Sequence, residues 1–322
     1  MSALRIGLLG AGTHSAGNHG PAWRDYAQRH PVVVDLVAVC DLDADRGQAY
    51  ADRFGFARVH TDLEQLLEEG LDGLVAITPM EVTEAVAGRI LEAGVPVVIE
   101  KPPGVGVEGA RRLLEVTQRT GTPHMISFNR RFAPAMERAR AWMAEGDHEP
   151  RHVISRILRR DRLEPDFARD TGLHQVDAVL SIIGRPVRVE GHREFPQGAR
   201  AANYTARIET ARGVTASLVQ APDVGVNEES MEILGDGFRV WLDFMTGVVR
   251  IDADGECVLE WSAAEEGMEP HEANGAYGET AAFVDGLGSG GTLAPTMVDG
   301  LVTMQAIVAL QEGTTREVGL RS

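Results

Sequence analysis

Residues 4–15 read LRIGLLGAGTHS. A short apolar run ends at Gly10, Gly12 follows, and the small Ser15 stands three residues further on. No other stretch restricts the fold as tightly. A strand that turns at one glycine, lets backbone approach a ligand at a second, and packs a helix at a third small residue opens a doubly wound sheet. The stretches that follow keep the alternation. Strand-like runs at 32–40, 73–78, 95–99 and 124–128 are separated by helical patterns at 23–28, 45–53, 62–69, 82–93 and 107–119. Runs with few charges suit strands buried on both faces, and a βαβα order gives a parallel sheet covered by helices. The fold class expected is α/β, with a doubly wound parallel sheet at the N-terminal end.

After about residue 130 the pattern changes. Strand-like runs at 152–158, 187–193, 203–209, 214–220, 230–234, 239–244, 248–251 and 257–261 dominate. Turn signals such as Asp236-Gly237 and Asp254-Gly255 suit hairpins. Helical patterns cover 134–145, 173–183, 278–287 and 296–311. This half reads as an α+β domain with a mostly antiparallel, open sheet. The 322 residues are enough for two domains, expected at 1–128 and 129–322.

Three motifs carry chemistry. The first is the turn itself. Gly10, Gly12, Thr13, His14 and Ser15 place the free N–H groups of a helix start where a dinucleotide pyrophosphate would lie. Asp41 ends the second strand. A carboxylate there accepts from both ribose hydroxyls and repels a 2′-phosphate, which favours NAD over NADP. The second motif is Glu100-Lys101-Pro102, with Thr78-Pro79 ending the preceding strand. Carboxyl ends of strands line the ligand crevice of a doubly wound sheet. Lys101 is the one lysine among 31 basic residues. Arginine keeps its proton at any working pH whereas lysine can release one, so this position is one that arginine does not fill. The third motif is Asp170-Thr-Gly172-Leu-His174, closed by Asp177. On one continuous helix Asp170 and His174 share a face, and a histidine beside a carboxylate makes an acid–base unit near neutral pH. Capping for Asp170 and a satisfied, half-buried ring for His174 are the structural alternatives. Asn129 and Arg131 follow the last parallel strand and are candidate substrate contacts, with a polar network at the domain junction as the alternative.

Composition excludes several classes. A net charge of −17 argues against nucleic acid and anionic membranes as partners. No apolar run approaches the roughly 20 residues of a membrane span, and the first residues lack the plan of a signal peptide, so a cytoplasmic protein is expected. Two cysteines, Cys40 and Cys257, give no disulfide framework. The histidines show no HExxH pattern, and no metal is expected. Six arginines at 151, 156, 159, 160, 162 and 169 lead towards Asp170. They suggest an anionic substrate, or else an exposed strand whose cations pair with neighbouring acids.

With these motifs in place, the chain resembles the glucose–fructose oxidoreductase / inositol dehydrogenase (Gfo/Idh/MocA) family. The likeness rests on GLLGAG with His19 downstream, VAVCD, AITP, AGVPVVIEKP, SFNRRFAP, D-x-G-x-H-x-x-D and the closing AAFVDGL and APTMVDGL. It implies an N-terminal Rossmann domain and a C-terminal α+β domain whose sheet mediates a homo-oligomer, a dimer or tetramer. It implies NAD(P)-dependent hydride transfer at a secondary hydroxyl or ketone of a sugar-like or polyol substrate. The family's catalytic Lys, Asp and His map onto Lys101, Asp170 and His174, which would also contact substrate. Thr83 stands near the place where the family usually has a histidine. A non-catalytic NAD-binding regulator on the same fold, and a biliverdin- or imine-type reductase, are the alternative functions.

Overall fold

The computed structural model describes residues 2–318. The chain divides into two compact units, Met1–Asn129 with Ala276–Leu301 and Arg130–Gly275 with Val302–Ser322. A single boundary between 128 and 129, as expected from sequence, would place the helix Ala276–Ser289 in the second unit instead.

The first unit is built on six parallel strands: β1 (Leu4–Leu9), β2 (Val34–Cys40), β3 (Arg58–His60), β4 (Gly73–Ala76), β5 (Val97–Ile99) and β6 (His124–Ile126). Their order is β3-β2-β1-β4-β5-β6, that of a doubly wound dinucleotide fold. Ile6, Leu8, Leu74, Val97 and Ile99 have no exposed surface, as the apolar runs require of strands covered on both faces. The helices are α1 (Thr13–Gly17), α2 (His19–Arg29), α3 (Ala44–Phe54), α4 (Leu63–Leu67), α5 (Met80–Glu92) and α6 (Gly106–Thr120). Asp43 caps α3 by accepting from the Arg46 N–H at 3.1 Å, and Asp62 caps α4 from the Glu64 N–H at 2.9 Å.

Two local features escaped the sequence. β3 is three residues long and carries no buried side chain, so it offers no apolar run. Helix begins at Thr13 rather than near residue 23, breaks at Asn18 and resumes at His19. The helix Ala276–Ser289 belongs to this unit. Its Phe283 meets Trp23 edge to face at 6.4 Å, and Gly73 on β4 leaves room for Phe283 and Leu287. Trp23 and Phe283 are almost fully buried, and truncating either to alanine costs about 3–5 kcal/mol on the usual scale.

In the second unit, helix α7 (Pro134–Glu145) precedes β7 (Pro150–Leu158), and α8 (Phe167–Asp170) and α9 (Leu173–Ile183) follow it. Then come β8 (Pro186–Glu194), β9 (Asn203–Thr210), β10 (Thr215–Ala221), β11 (Glu228–Gly235), β12 (Phe238–Asp243), β13 (Val248–Ala253) and β14 (Glu256–Ser262). With β15 (Thr315–Glu317) they form a nine-stranded sheet ordered β14-β13-β12-β11-β7-β10-β9-β8-β15. The β7–β10 pair is parallel and every other neighbouring pair antiparallel, so the sheet is mostly antiparallel as expected. Burial alternates along β7, β9 and β12, the period of strands with one packed face. Helix α9 packs on β7 and β10, and α7 on β12 and β13.

Candidate active site

Gly10 ends β1 in the left-handed region, with φ +97°. A Cβ there would lie 2.0 Å from the Ile77 carbonyl oxygen, so only glycine fits this turn. Gly12 is different. A Cβ there would meet nothing within 4 Å, which leaves bare backbone facing open space at the head of α1. Ser15, at the third small position, is fully buried, and its hydroxyl is 2.8 Å from that of Tyr50 on α3. Serine therefore replaces glycine here without stranding a polar atom.

Asp41 follows β2 and is almost buried. Its Oδ2 accepts from the Ala11 N–H at 2.8 Å, which ties the end of β2 to the glycine turn. Its Oδ1 accepts from the Asp43 N–H at 2.9 Å. Arg46, on α3, donates to both oxygens, from Nε at 3.1 Å and Nη2 at 2.5 Å. Burial alone would raise the carboxyl pKa, but Arg46 and the two backbone donors outweigh it and hold Asp41 ionised below the usual range.

At the end of β5, Glu100 is buried between two imidazoles. His19 Nε2 is 3.1 Å from its Oε2 and His14 Nε2 is 3.6 Å from its Oε1. Burial works to raise this carboxyl, yet the neighbouring His14 and His19 imidazoles hold it well below the ordinary value. The three ligand-type atoms lie within 4.8 Å of one another, a grouping invisible in the spacing of 14, 19 and 100. Lys101 follows Glu100 and is partly buried. At the end of β4, the Thr78 hydroxyl is 2.9 Å from that of Thr83, which also donates to the Pro79 carbonyl at 3.1 Å. Thr83 ties down the start of α5. The turn residues, Asp41, Thr78, Pro79, Glu100 and Lys101 thus all follow carboxyl ends of strands in one sheet.

Asn129 ends the first segment of the first unit, and the second unit holds the other candidates. Asp170 and His174 do not share a continuous helix. Asp170 ends α8 and His174 is the second residue of α9. The Gly172 N–H donates to the Phe167 carbonyl five residues back, at 3.0 Å, which inserts a π-type turn between them. Gln220 packs where a Cβ of Gly172 would be and donates to its carbonyl at 3.2 Å. The simple four-residue spacing expected from sequence is therefore broken. Asp170 Oδ1 accepts from Arg169 Nε at 3.0 Å. Asn129 and Arg131 stand in a single 3₁₀ turn, Asn129–Phe132. Arg131 donates a two-pronged pair, 2.7 and 2.8 Å, to the fully buried Asp177 on α9.

Sequence reasoning missed Glu229. This β11 carboxylate is buried and receives Arg130 Nε at 2.7 Å, Arg130 Nη2 at 3.0 Å and Arg159 Nη2 at 2.6 Å. Burial would raise it, but Arg130, Arg159 and the nearby His174 pull it down to about 2. In a chain with 48 acidic residues, nothing local in the sequence marks one glutamate as buried. The arginine run has partners too. Arg151, Arg156, Arg159, Arg160, Arg162 and Arg169 each lie within 4.0 Å of a carboxylate. Neighbouring acids thus stand beside every cation of this run.

Strand order, glycine turn and the carboxylate after β2 define a Rossmann-type dinucleotide-binding fold. Residues 4–128 match the model of an oxidoreductase family with an NAD-binding Rossmann fold. D-apiose dehydrogenase of Paraburkholderia graminis is 30% identical over 261 residues, 77% of this chain and 67% of that protein. Inositol 2-dehydrogenase of Corynebacterium glutamicum strain R is 26% identical over 196 residues, and the match spans only 57% of its length. A dehydrogenase structure from Chromobacterium violaceum aligns with a TM-score of 0.85 at 19% identity, covering 98% of this chain and 96% of that one. Levoglucosan dehydrogenase in complex with NADH aligns with a TM-score of 0.83 at 18% identity, covering 99% and 100%. These last two are likenesses of fold. The chain belongs to the Gfo/Idh/MocA family of NAD-binding oxidoreductases. Among its described residues, no helix is long and apolar enough to cross a membrane.

Proposed function

We propose that this protein is an NAD-dependent dehydrogenase acting on a secondary hydroxyl, or the matching ketone, of a sugar-like or polyol substrate. The observation that carries the reading is Lys101, the chain's one lysine, set directly after the buried Glu100 at the end of β5 in a dinucleotide-binding sheet. Relatives named as D-apiose and inositol dehydrogenases supply the substrate class.

The residues present fit the cofactor. Bare backbone at Gly12 and the α1 start suit a pyrophosphate, with Gly10, Thr13, His14 and Ser15 shaping the turn. Asp41 suits a ribose diol and disfavours a 2′-phosphate, so NAD is the expected partner. Thr78, Pro79, Glu100 and Lys101 would border the nicotinamide end. When bound, nicotinamide supplies the carbon that accepts or donates hydride. The chain does the rest. Lys101 Nζ would hold the reacting oxygen and offset charge as it develops there. The His174 imidazole would take the hydroxyl proton, and Asp170 would hydrogen-bond the substrate or orient His174. Asn129 is assigned to substrate, and Arg131 to holding α9 through Asp177.

The test is absorbance at 340 nm, with NAD and a panel of polyols, aldoses and sugar acids for oxidation, and with NADH and tetrapyrroles for reduction. At least one polyol or aldose should give a rise. NADH binding without turnover on any member would contradict the reading and favour the regulator. Reduction of a tetrapyrrole alone would favour the reductase. On the same reading the protein is a cytoplasmic homo-oligomer, a dimer or tetramer, which light scattering checks.

A further inference from the structure

Two imidazoles bracket the Glu100 carboxylate, one on each oxygen. His19 Nε2 lies 3.1 Å from Oε2 and His14 Nε2 lies 3.6 Å from Oε1. The three ligand-type atoms all lie within 4.8 Å of one another. The rings meet edge to face, with centroids 5.8 Å apart at 68°, so neither ring covers the other. A helix break produces this convergence. On one straight helix, five residues are a rotation of about 140°, which would point His14 and His19 apart. The break at Asn18, with φ −128° and ψ −65°, ends α1 and starts α2 at His19. Both rings then reach the residue that follows β5. Among the described residues, this is the one group of three histidine, cysteine or acidic side chains so placed.

We propose that His14, His19 and Glu100 form a site for one divalent transition-metal ion of the Zn2+ class. Two imidazoles and a glutamate are a donor set that zinc takes. Imidazole also suits cobalt, nickel and copper, whereas magnesium and calcium prefer oxygen ligands. The sequence shows no HExxH spacing, but a site assembled from 14, 19 and 100 needs none. Tetrahedral bonds of about 2.0–2.2 Å put neighbouring ligand atoms about 3.3 Å apart. The two histidine–glutamate separations, 3.1 and 3.6 Å, already bracket that value. His19 and Glu100 are held by burial, with side chains 6% and 7% exposed. His14, at 53%, is the ligand with room to close on the ion. A bound cation supplies the buried carboxylate with its counter-charge and leaves both imidazoles neutral. Three protein ligands leave a coordination position for water or another ligand. All three residues belong to the first unit, and the site stands whether or not a dinucleotide binds.

The test uses the full chain, stripped with a chelator and free of dinucleotide. Zn2+ is titrated by calorimetry and Co2+ by visible absorption, with wild type, His14→Ala, Glu100→Gln and His60→Ala. His60, which pairs with Glu69 at 2.7 Å, is the control for adventitious binding at a histidine. Wild type and His60→Ala should saturate at one ion per chain, and Co2+ should show the strong visible bands of a low-coordinate site. His14→Ala and Glu100→Gln should weaken Zn2+ by at least about tenfold, the least that losing even an outer partner of a metal ligand costs. Zn2+ should raise the melting temperature of wild type and not that of His14→Ala. His14 is half exposed, so its variant should fold even where Glu100→Gln does not. Faint bands of hydrated Co2+ with no saturable Zn2+ heat would overturn the site. So would Zn2+ affinity unchanged in His14→Ala, or lost equally in His60→Ala.

Discussion

His19 Nε2 lies 3.1 Å from Glu100 Oε2, across 81 residues of sequence. Both residues are buried, so the pair joins the start of α2 to the end of β5 inside the first unit. His19→Ala leaves the carboxylate with the half-exposed His14 as its remaining histidine partner. A buried acceptor that loses a partner costs about 1–3 kcal/mol. Denaturant unfolding of His19→Ala, Glu100→Gln and the double variant should show coupling between the two. Strictly additive losses would contradict the contact.

Glu229 makes stability depend on acid. Its carboxyl sits at about 2 in the folded chain against 4.5 ordinarily. A depressed carboxyl stabilises the fold in full above its unfolded value, and that contribution is lost as pH falls from 4.5 towards 2. Glu229→Gln should cost about 3–5 kcal/mol at neutral pH, since Arg130 and Arg159 lose their buried counter-charge. It should also flatten the fall in stability below pH 4.5. A variant whose acid limb is as steep as that of the wild type would contradict this.

Gly10 and Gly12 should separate folding from binding. Gly10→Ala forces a Cβ against the Ile77 carbonyl at a left-handed φ, and strain of this kind costs at least about 1–3 kcal/mol. Gly12→Ala meets no neighbour, so its melting temperature should stay near that of the wild type. Its NADH affinity should drop about tenfold or more, because the methyl occupies the space where backbone meets pyrophosphate. Equal behaviour of the two variants in both assays would contradict the division of labour.

Legibility followed the range of the signal. The parallel strands announced themselves because strands buried on both faces are continuous apolar runs, and the glycine turn because its backbone geometry restricts residue type. Asp43 and Asp62 cap α3 and α4 from within three residues, a local relation. β3 was hidden because its side chains are half exposed. The break between α8 and α9 was hidden because Gln220, on another strand, packs against Gly172. Arg46 on Asp41 and the two histidines on Glu100 belong to the same kind. Each residue was visible, but their meeting depends on the sheet that brings strand ends together.

Lys101→Arg tests the catalytic reading most directly. Arginine keeps the charge but changes its shape and cannot release a proton. Single-turnover absorbance at 340 nm should show hydride transfer slowed by about 30- to 1,000-fold, the equivalent of roughly 2–4 kcal/mol of lost charge stabilisation. NADH affinity and melting temperature should match the wild type. Hydride transfer at the wild-type rate in Lys101→Arg would contradict the role given to the chain's one lysine.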